Sequence, residues 1–281
     1  MKIISDILDL SAPRVMGIIN VNPHSFSSTG RCLSIDDAMN HAEKIIQEGA
    51  AIIDVGGEPT HPKQHIVISL QEELDRVIPF IEKLNQNFST PISVDTSHPE
   101  VMTAAVSAGA SLINDVRALR REGALQTAAN LQVPICLMHM QYPDGNASTN
   151  SEDPYHGNVV QSVKHFLQER IDACLASGIQ KEQIILDPGI GHGSFGKDLP
   201  QNLQLLNQLK VFCDMGFPIL VGVSQKTFIG ELLNVEVSER LYGSIAAAIY
   251  AVLCGVKIIR AHDVKATVQA LQMINAIDNS L

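Results

Sequence analysis

The chain has 281 residues, 45% of them hydrophobic, and a formal charge of −10, so it is long enough to bury a sizeable core as one large α/β barrel or as two small domains. The acidic balance argues against a general nucleic-acid binder or a protein that adheres to acidic membrane surfaces, and points to small soluble partners. Cys32, Cys136, Cys174, Cys213 and Cys254 are odd in number, far apart and never spaced C-x-x-C, which fits reduced core thiols better than disulfides or a zinc site.

From the N-terminus, the first stretch carries Asp6 and Asp9 and has no basic start followed by a long apolar run, so it reads as a short extension of a cytoplasmic protein rather than a signal peptide. The first apolar run ends on an amide, Asn20, and gives way to a polar loop. A helix follows with Ser34 as its cap and Ile35, Ala38, Met39, Ala42, Ile45, Ile46 and Gly49 on one face. Ser69 with Glu72 has the form of a capping box ahead of a stripe from Leu70 to Leu84. A third helix starts at Pro99 and turns Val101, Ala104, Ala105 and Ala108 to one side. One phrase recurs as Gly49 to Asp54, Gly109 to Asn114 and Gly255 to Arg260, each a helix-stopping glycine, a short strand and a polar end. The most apolar segment, Ile245 to Ile259, is too short to span a bilayer and is broken by Gly255 and Lys257; a buried helix running into a strand explains it.

Short apolar runs near 14–19, 51–55, 91–95, 111–114, 134–139, 184–187, 219–223 and 257–260 read as strands alternating with helices. Eight such units in this length predict a single α/β domain over residues 1–281, a (β/α)8 TIM barrel with a short N-terminal extension and long mobile loops after strands 1 and 2. An open doubly wound sheet is the second choice, but no G-x-G-x-x-G follows the first strand. Residues 141–154 read as a long loop after strand five.

In such a barrel the C-terminal strand ends converge on one mouth. Here they carry Asn20, Asp54, Asp95, Asn114 with Asp115, His139, Asp187, Ser224 with Lys226, and Arg260 with His262. Asp54 and Asp115 read first as helix caps, and His139, set among Leu137, Met138 and Met140, reads equally as a packed structural histidine. Asp95, Asn114, Asp187 and Lys226 suit a flat heterocycle bearing N–H and amino donors and a carbonyl. Asn20, Arg260 and His262 suit an anion with an oxygen-preferring cation beside it. A heterocycle carrying a phosphate satisfies both halves. A zinc hydrolase would want clustered histidines at the first strand end, where the chain has Asn20-Val21-Asn22.

The motifs VMGIIN, IIDVGGEPTHP, ISVDTSHPEV, LINDV, PICLMHM, ILDPGIG, LVGVSQKTFIGELL, SERLYGS and IIRAHDV, in that order along nearly the whole chain, resemble the dihydropteroate synthase family. The resemblance implies condensation of 6-hydroxymethyl-7,8-dihydropterin diphosphate with 4-aminobenzoate to give 7,8-dihydropteroate and diphosphate for folate biosynthesis. It implies pterin contacts from Asp95, Asn114, Asp187 and Lys226, and a diphosphate held with Mg2+ near Asn20, Thr60, His61, Arg260 and His262. Asn20 would be the metal contact. Thr60, Pro62, Ser224 and Phe195 would face the aminobenzoate, a sulfonamide would compete there, and a homodimer through the late helices is expected. Asn20, Lys226, Arg260 and His262 are then the catalytic candidates.

Departures from the family pattern cluster in loops. Asn22, His24, Ser28 and Thr29 stand in the first loop, and Pro59 and His61 in the second; Gln225 replaces an arginine, and the segment from Gly191 to Lys197 runs longer than usual. Two other readings therefore stand beside the synthase: a pterin-binding paralogue with weak or lost turnover, and a pterin-dependent methyltransferase. Arg260, His262 and the 224–227 motif argue against the latter, because methyl transfer has no diphosphate to hold.

Overall fold

The computed structural model describes residues 2–21, 35–57, 68–142, 153–278 and 280. Eight parallel strands form its centre: β1 (Arg14–Asn20), β2 (Ile52–Gly56), β3 (Ile92–Asp95), β4 (Leu112–Asp115), β5 (Ile135–Met138), β6 (Ile184–Asp187), β7 (Leu220–Gly222) and β8 (Ile258–Ala261). They pair in the order β6-β5-β4-β3-β2-β1-β8-β7. The ring is closed by a parallel bridge between Leu186 and Ile219, beside a 3.0 Å hydrogen bond from the Leu186 N–H to the Pro218 carbonyl. This is the expected (β/α)8 barrel, with strand ends within a residue or so of those read from the apolar runs.

The strands alternate as a closed barrel requires. One set of side chains, including Val15, Ile19, Ile53, Val55, Val94, Ile113, Leu137, Leu186, Val221 and Ile259, packs outward into the cluster that holds the helices. The other set packs inward: Met16, Ile52, Leu112, Cys136, Ile185, Leu220 and Ile258 form a separate apolar cluster, joined by Ile4 and Leu8. Ile4 lies on a short helix, α1 (Ile4–Ile7), and Leu8 follows it directly. The N-terminal extension is therefore the plug of the barrel floor, tied down by the Lys2 N–H on the Gln132 carbonyl at 2.9 Å and by Gln183 Nε2 on the Lys2 carbonyl at 3.3 Å. Two residues further along β2, β4, β6 and β8, the same inward parity delivers Asp54, Asn114, Asp187 and Arg260 instead of apolar side chains.

The outer layer is α2 (Ile35–Gln47), α3 (Leu70–Asn87), α4 (Pro99–Ala108), α5 (Ala124–Leu131), α6 (Val159–Ala176), α7 (Leu199–Asn207), α8 (Leu209–Cys213), α9 (Thr227–Leu233), α10 (Leu241–Leu253) and α11 (Val264–Asp278). The three repeated glycines, Gly49, Gly109 and Gly255, all have positive φ (100°, 121° and 105°), the backbone conformation that ends a helix and redirects the chain into a strand. On α2, Ala38, Ala42 and Ile45 are buried, but Ile35 at the first position is exposed. At α3, Ser69 Oγ accepts the Glu72 N–H at 3.2 Å, while the Glu72 carboxylate pairs with Arg76 one turn on; the cap is a single bond rather than a reciprocal box. The proposed cap at Ser34 and the two loops after β1 and β2 lie outside the described residues, as does most of the loop after β5. The apolar helix near the C-terminus is only half core: α10 buries Ala248 and Ala251 but exposes Tyr242, Tyr250 and Leu253.

Candidate functional site

Above the apolar inner layer sits a buried charge network. Asp54 on β2 is completely buried. Its Oδ2 accepts from Arg260 Nε at 2.6 Å and from Asn114 Nδ2 at 3.2 Å, and its Oδ1 accepts from Ser93 Oγ at 2.6 Å. Arg260 Nη2 donates in turn to Asp95 Oδ2 at 3.0 Å. The barrel register makes this assembly inevitable: Asp54 pairs with Ser93 across β2 and β3, and Asp95 with Asn114 across β3 and β4. Asp54 is thus no helix cap. It orients two of the predicted site residues, and Arg260, read as an anion contact, commits two of the five N–H donors of a guanidinium to Asp54 and Asp95. Asp115 does not cap a helix either: its Oδ2 accepts the Leu119 N–H at 2.7 Å and its Oδ1 the Arg117 N–H at 2.8 Å, which fixes the turn after β4, while the next helix, α5, begins after Gly123.

Asp187 closes the opposite side. Its Oδ1 accepts the Gly189 N–H at 2.7 Å, and burial pushes its carboxyl up to about 6, against the pull of the Gly189 N–H and of Lys226, Lys197 and Arg260. Desolvation, with the nearby Arg260 cation, brings the Lys226 ammonium down to about 8 although Asp187 and Asp95 favour its charged form. The Lys226 ammonium lies 4.0 Å from the centroid of the Phe195 ring, a cation–π contact. Phe195 sits on the single 3-10 turn after β6 (Gly193–Phe195). The structure therefore places Phe195, which the resemblance has facing the aminobenzoate, against the pterin-side lysine.

At the rim, Ser224 Oγ accepts the His262 N–H at 3.1 Å and lies 3.2 Å from His262 Nδ1. His262 is exposed overall. Desolvation of its ring by the rim, reinforced by the Arg260 and Lys226 charges, pushes its imidazole down to about 4, so at neutral pH it is a neutral hydrogen-bonding group rather than a second cation. Gln225, at the position of the family's arginine, has φ 59° and donates from Nε2 to Asp263 at 3.0 Å, while its carbonyl accepts from Arg240 at 2.9 Å.

Asn20 ends β1 opposite Gly56. A side chain built at Gly56 would stand 3.4 Å from Asn20 Oδ1 and 3.7 Å from Asp95 Oδ2, so an amide oxygen and a carboxylate oxygen both lie beside the bare Cα of this glycine. Both are hard oxygen donors of the kind that suits Mg2+, an ion that takes one or two protein oxygens and fills its other positions with water and substrate phosphate. No cluster of three or more His, Cys, Asp or Glu side chains that could hold a metal ion occurs among the described residues.

Two features had no signal in the strand-end ring. Lys197 is buried, and its Nζ donates to the Phe195 carbonyl at 2.9 Å and to His139 Nδ1 at 3.0 Å. Glu73, also buried, accepts from Thr96 Oγ1 at 2.5 Å and pairs with His98 Nδ1 at 2.6 Å, just beyond Asp95. Thr60, His61 and Pro62 lie outside the described residues.

Residues 16–262 match the family model described as pterin binding enzyme. A dihydropteroate synthase of Haemophilus influenzae is 48% identical over 273 residues, covering 97% of each chain. Among solved structures, a Xanthomonas albilineans dihydropteroate synthase with 4-aminobenzoic acid superposes with a TM-score of 0.89 at 45% identity over 98% of this chain and 96% of its own. A Coxiella burnetii dihydropteroate synthase in complex with pteroic acid gives 0.86 at 44% identity over 97% and 95%.

Proposed function

The chain belongs to the pterin-binding enzyme family, and within it to the dihydropteroate synthases, and we infer that it joins 6-hydroxymethyl-7,8-dihydropterin diphosphate to 4-aminobenzoate, releasing diphosphate and giving 7,8-dihydropteroate for folate synthesis. The observation that carries the assignment of residues is the buried Asp54–Arg260–Asp95 network with Asn114 beside it and Asp187 and Lys226 across the mouth.

A pterin ring edge offers an amino group and ring N–H donors together with a carbonyl and ring nitrogen acceptors. Asp95 and Asp187 supply carboxylate acceptors, the Asn114 amide supplies either role, and Lys226 donates to a carbonyl or ring nitrogen. Because Asp54 already occupies one Asn114 donor and the Arg260 Nε, both groups meet the ligand in a set orientation, so little rotamer freedom is lost on binding.

The reaction breaks the C–O bond between the pterin methylene and the diphosphate, whose oxygen keeps the electron pair, and forms a C–N bond from the aminobenzoate nitrogen, which then sheds a proton. No covalent enzyme nucleophile is needed. Positive charge that develops on the pterin methylene is tolerated by Asp54, Asp95 and Asp187, and negative charge on the leaving group is stabilised by Arg260 with a hydrogen bond from neutral His262. Asn20, with Asp95 across Gly56, would hold Mg2+, which when bound neutralises charge on the leaving diphosphate. Thr60, Pro62 and Ser224 remain the proposed aminobenzoate contacts, and His61 a further diphosphate contact.

The late helices support a homodimer. Leu203, Leu232, Leu233 and Tyr250 are exposed along a groove between α7, α9 and α10 of about 410 Å³, and Tyr242 and Leu253 are exposed elsewhere on α10; apolar surface of this kind favours a protein partner. The described residues contain no helix long and apolar enough to cross a membrane; the cytoplasmic placement rests on the sequence alone.

Isothermal titration with the pterin diphosphate in the presence of Mg2+ tests the site. One ligand should bind per chain, and Asp95→Ala should abolish the heat. An Asp95→Ala variant with unaltered affinity would remove the carboxylate recognition from the account.

A further inference from the structure

Among the described residues, Lys197 is the one buried ammonium that the proposed chemistry leaves without a task. Only 2% of its surface is exposed, and burial brings its pKa down to about 7. An ammonium in that position is costly unless it is fully hydrogen-bonded, and here its bonds tie the segment after β6 to the end of β5. Nζ donates to the Phe195 carbonyl at 2.9 Å and to His139 Nδ1 at 3.0 Å. His139 can accept because desolvation, with Lys197 and Arg120 nearby, keeps its ring neutral. Tyr155 Oη donates to the same Phe195 carbonyl at 3.2 Å, and its ring lies 5.9 Å from Nζ.

The start of the segment has anchors of its own, the Gly191 N–H on Asn202 Oδ1 at 2.7 Å and His192 Nε2 on the Glu231 carboxylate at 3.0 Å, and Lys197 and Tyr155 hold the Phe195 carbonyl between those anchors and α7. The segment is the glycine-rich stretch between β6 and α7, and its Phe195 ring fills the space beside Gly191: a side chain built at Gly191 would come within 3.0 Å of that ring and 3.3 Å of Lys226 Nζ. The Lys226 ammonium meets the ring on that same side, 4.0 Å from its centroid. A chain of contacts therefore runs from His139, at the end of β5, through Lys197 to the Phe195 backbone, and from the Phe195 ring to Lys226.

We propose that Lys197, braced by His139, is a positioning residue that fixes the Phe195 segment and through it sets the place of Lys226 in the pterin site. The proposal rests on the reading of that site as the pterin pocket, but the positional claim has a test of its own. The chain contains no tryptophan, so Phe195→Trp creates a single fluorescent reporter at the segment. In that background Lys197→Met should lower the steady-state anisotropy and change the emission, while the far-UV circular dichroism stays that of the parent. In the wild-type background Lys197→Met should raise KM for the pterin diphosphate about tenfold with kcat moved far less, the pattern of lost uniform binding. Phe195→Ala should add little to that loss, because the two residues act along one path. Lys197→Arg, which keeps a cationic donor, should recover part of it.

Unchanged anisotropy of the indole reporter in the Phe195→Trp background on substituting Lys197, or losses from Lys197→Met and Phe195→Ala that simply multiply, would overturn the proposal. Should Lys197→Met fail to fold, Tyr155→Phe removes the other donor to the same carbonyl and is read the same way, with a smaller loss expected that again does not multiply with Phe195→Ala; a multiplying loss overturns the proposal there too. A wild-type protein without turnover would defeat the synthase reading and leave the anisotropy measurement to decide the role of Lys197.

Discussion

Asp54 is the residue on which the stability of the site and its orientation meet. Removing its carboxylate as Asp54→Ala leaves the Arg260 guanidinium, mostly buried, with Asp95 as the remaining one of its two carboxylate partners, and takes an acceptor from both Asn114 and Ser93. Breaking a buried ion pair by deleting one member costs about 3–5 kcal/mol. The two neutral donors left behind would add about 1–3 kcal/mol each if they stayed unsatisfied, but the vacated space is polar and a water there would offset much of that. A net loss of about 4 kcal/mol is expected. Asp54→Asn separates charge from shape, since its Oδ1 can face Arg260 and Asn114 while its amide donates to Ser93 Oγ. It should cost the charge-assisted part alone, about 1.5–3 kcal/mol. Urea unfolding at pH 7 followed by circular dichroism measures both, and titration with the pterin diphosphate should show a loss of affinity for Asp54→Asn in the still-folded protein. Two variants within about 1 kcal/mol of the parent would refute the argument that Asp54 holds the site together.

Asp187 has its folded-state pKa raised, to about 6 from 3.8, so its ionised form penalises folding above about pH 6 and the penalty is relieved as pH falls towards 4. Asp187→Asn should therefore raise Tm at pH 8, by on the order of 3 kcal/mol of stability at most, with the difference closing near pH 4, and should weaken pterin binding at least tenfold; a Tm difference that does not change with pH would contradict the burial argument. Pterin affinity of the parent should fall as the pH drops through about 6, read by titration at several pH values. Arg260→Ala should weaken binding of the unphosphorylated pterin, since Arg260 also holds Asp54 and Asp95, and should weaken the diphosphate further; equal losses would deny it an anion role. Tyr242→Glu, at an 84% exposed position, should shift the sedimentation coefficient from that of a dimer to that of a monomer, and an unchanged value would take that face out of the interface.

The barrel was legible because its signal is local. Each strand is a run of a few apolar residues ended by a polar one, and the repeated glycines mark where one helix stops. The ring of site residues was legible for the same reason, since parallel strands of a closed barrel bring their C-terminal ends together whatever lies between. Partner choice was not. Asp54 and Arg260 are 206 residues apart, and nothing near Asp54 in the chain distinguishes a helix cap from the centre of a network. Glu73 and Glu72 are adjacent acids at the start of α3, yet Glu73 is buried against Thr96 and His98 while Glu72 takes the exposed i,i+4 pair with Arg76; the phase of the helix on the barrel decides between them. Lys197 gave no pattern at all, because a lysine after a glycine-rich turn reads as a surface residue. His262 was read as an anion contact with no charge state attached, and it is desolvation and the neighbouring Arg260 and Lys226 that make it a neutral donor.

The central claim is that this polar ring carries out the condensation, and the direct measurement is diphosphate release by the purified protein. Release should require the pterin diphosphate, 4-aminobenzoate and Mg2+ together, should yield dihydropteroate in equal amount, and should disappear in Asp95→Ala. Tight binding of the pterin diphosphate with no Mg2+-dependent release would contradict it, and would leave the chain a pterin-binding protein without the synthase reaction.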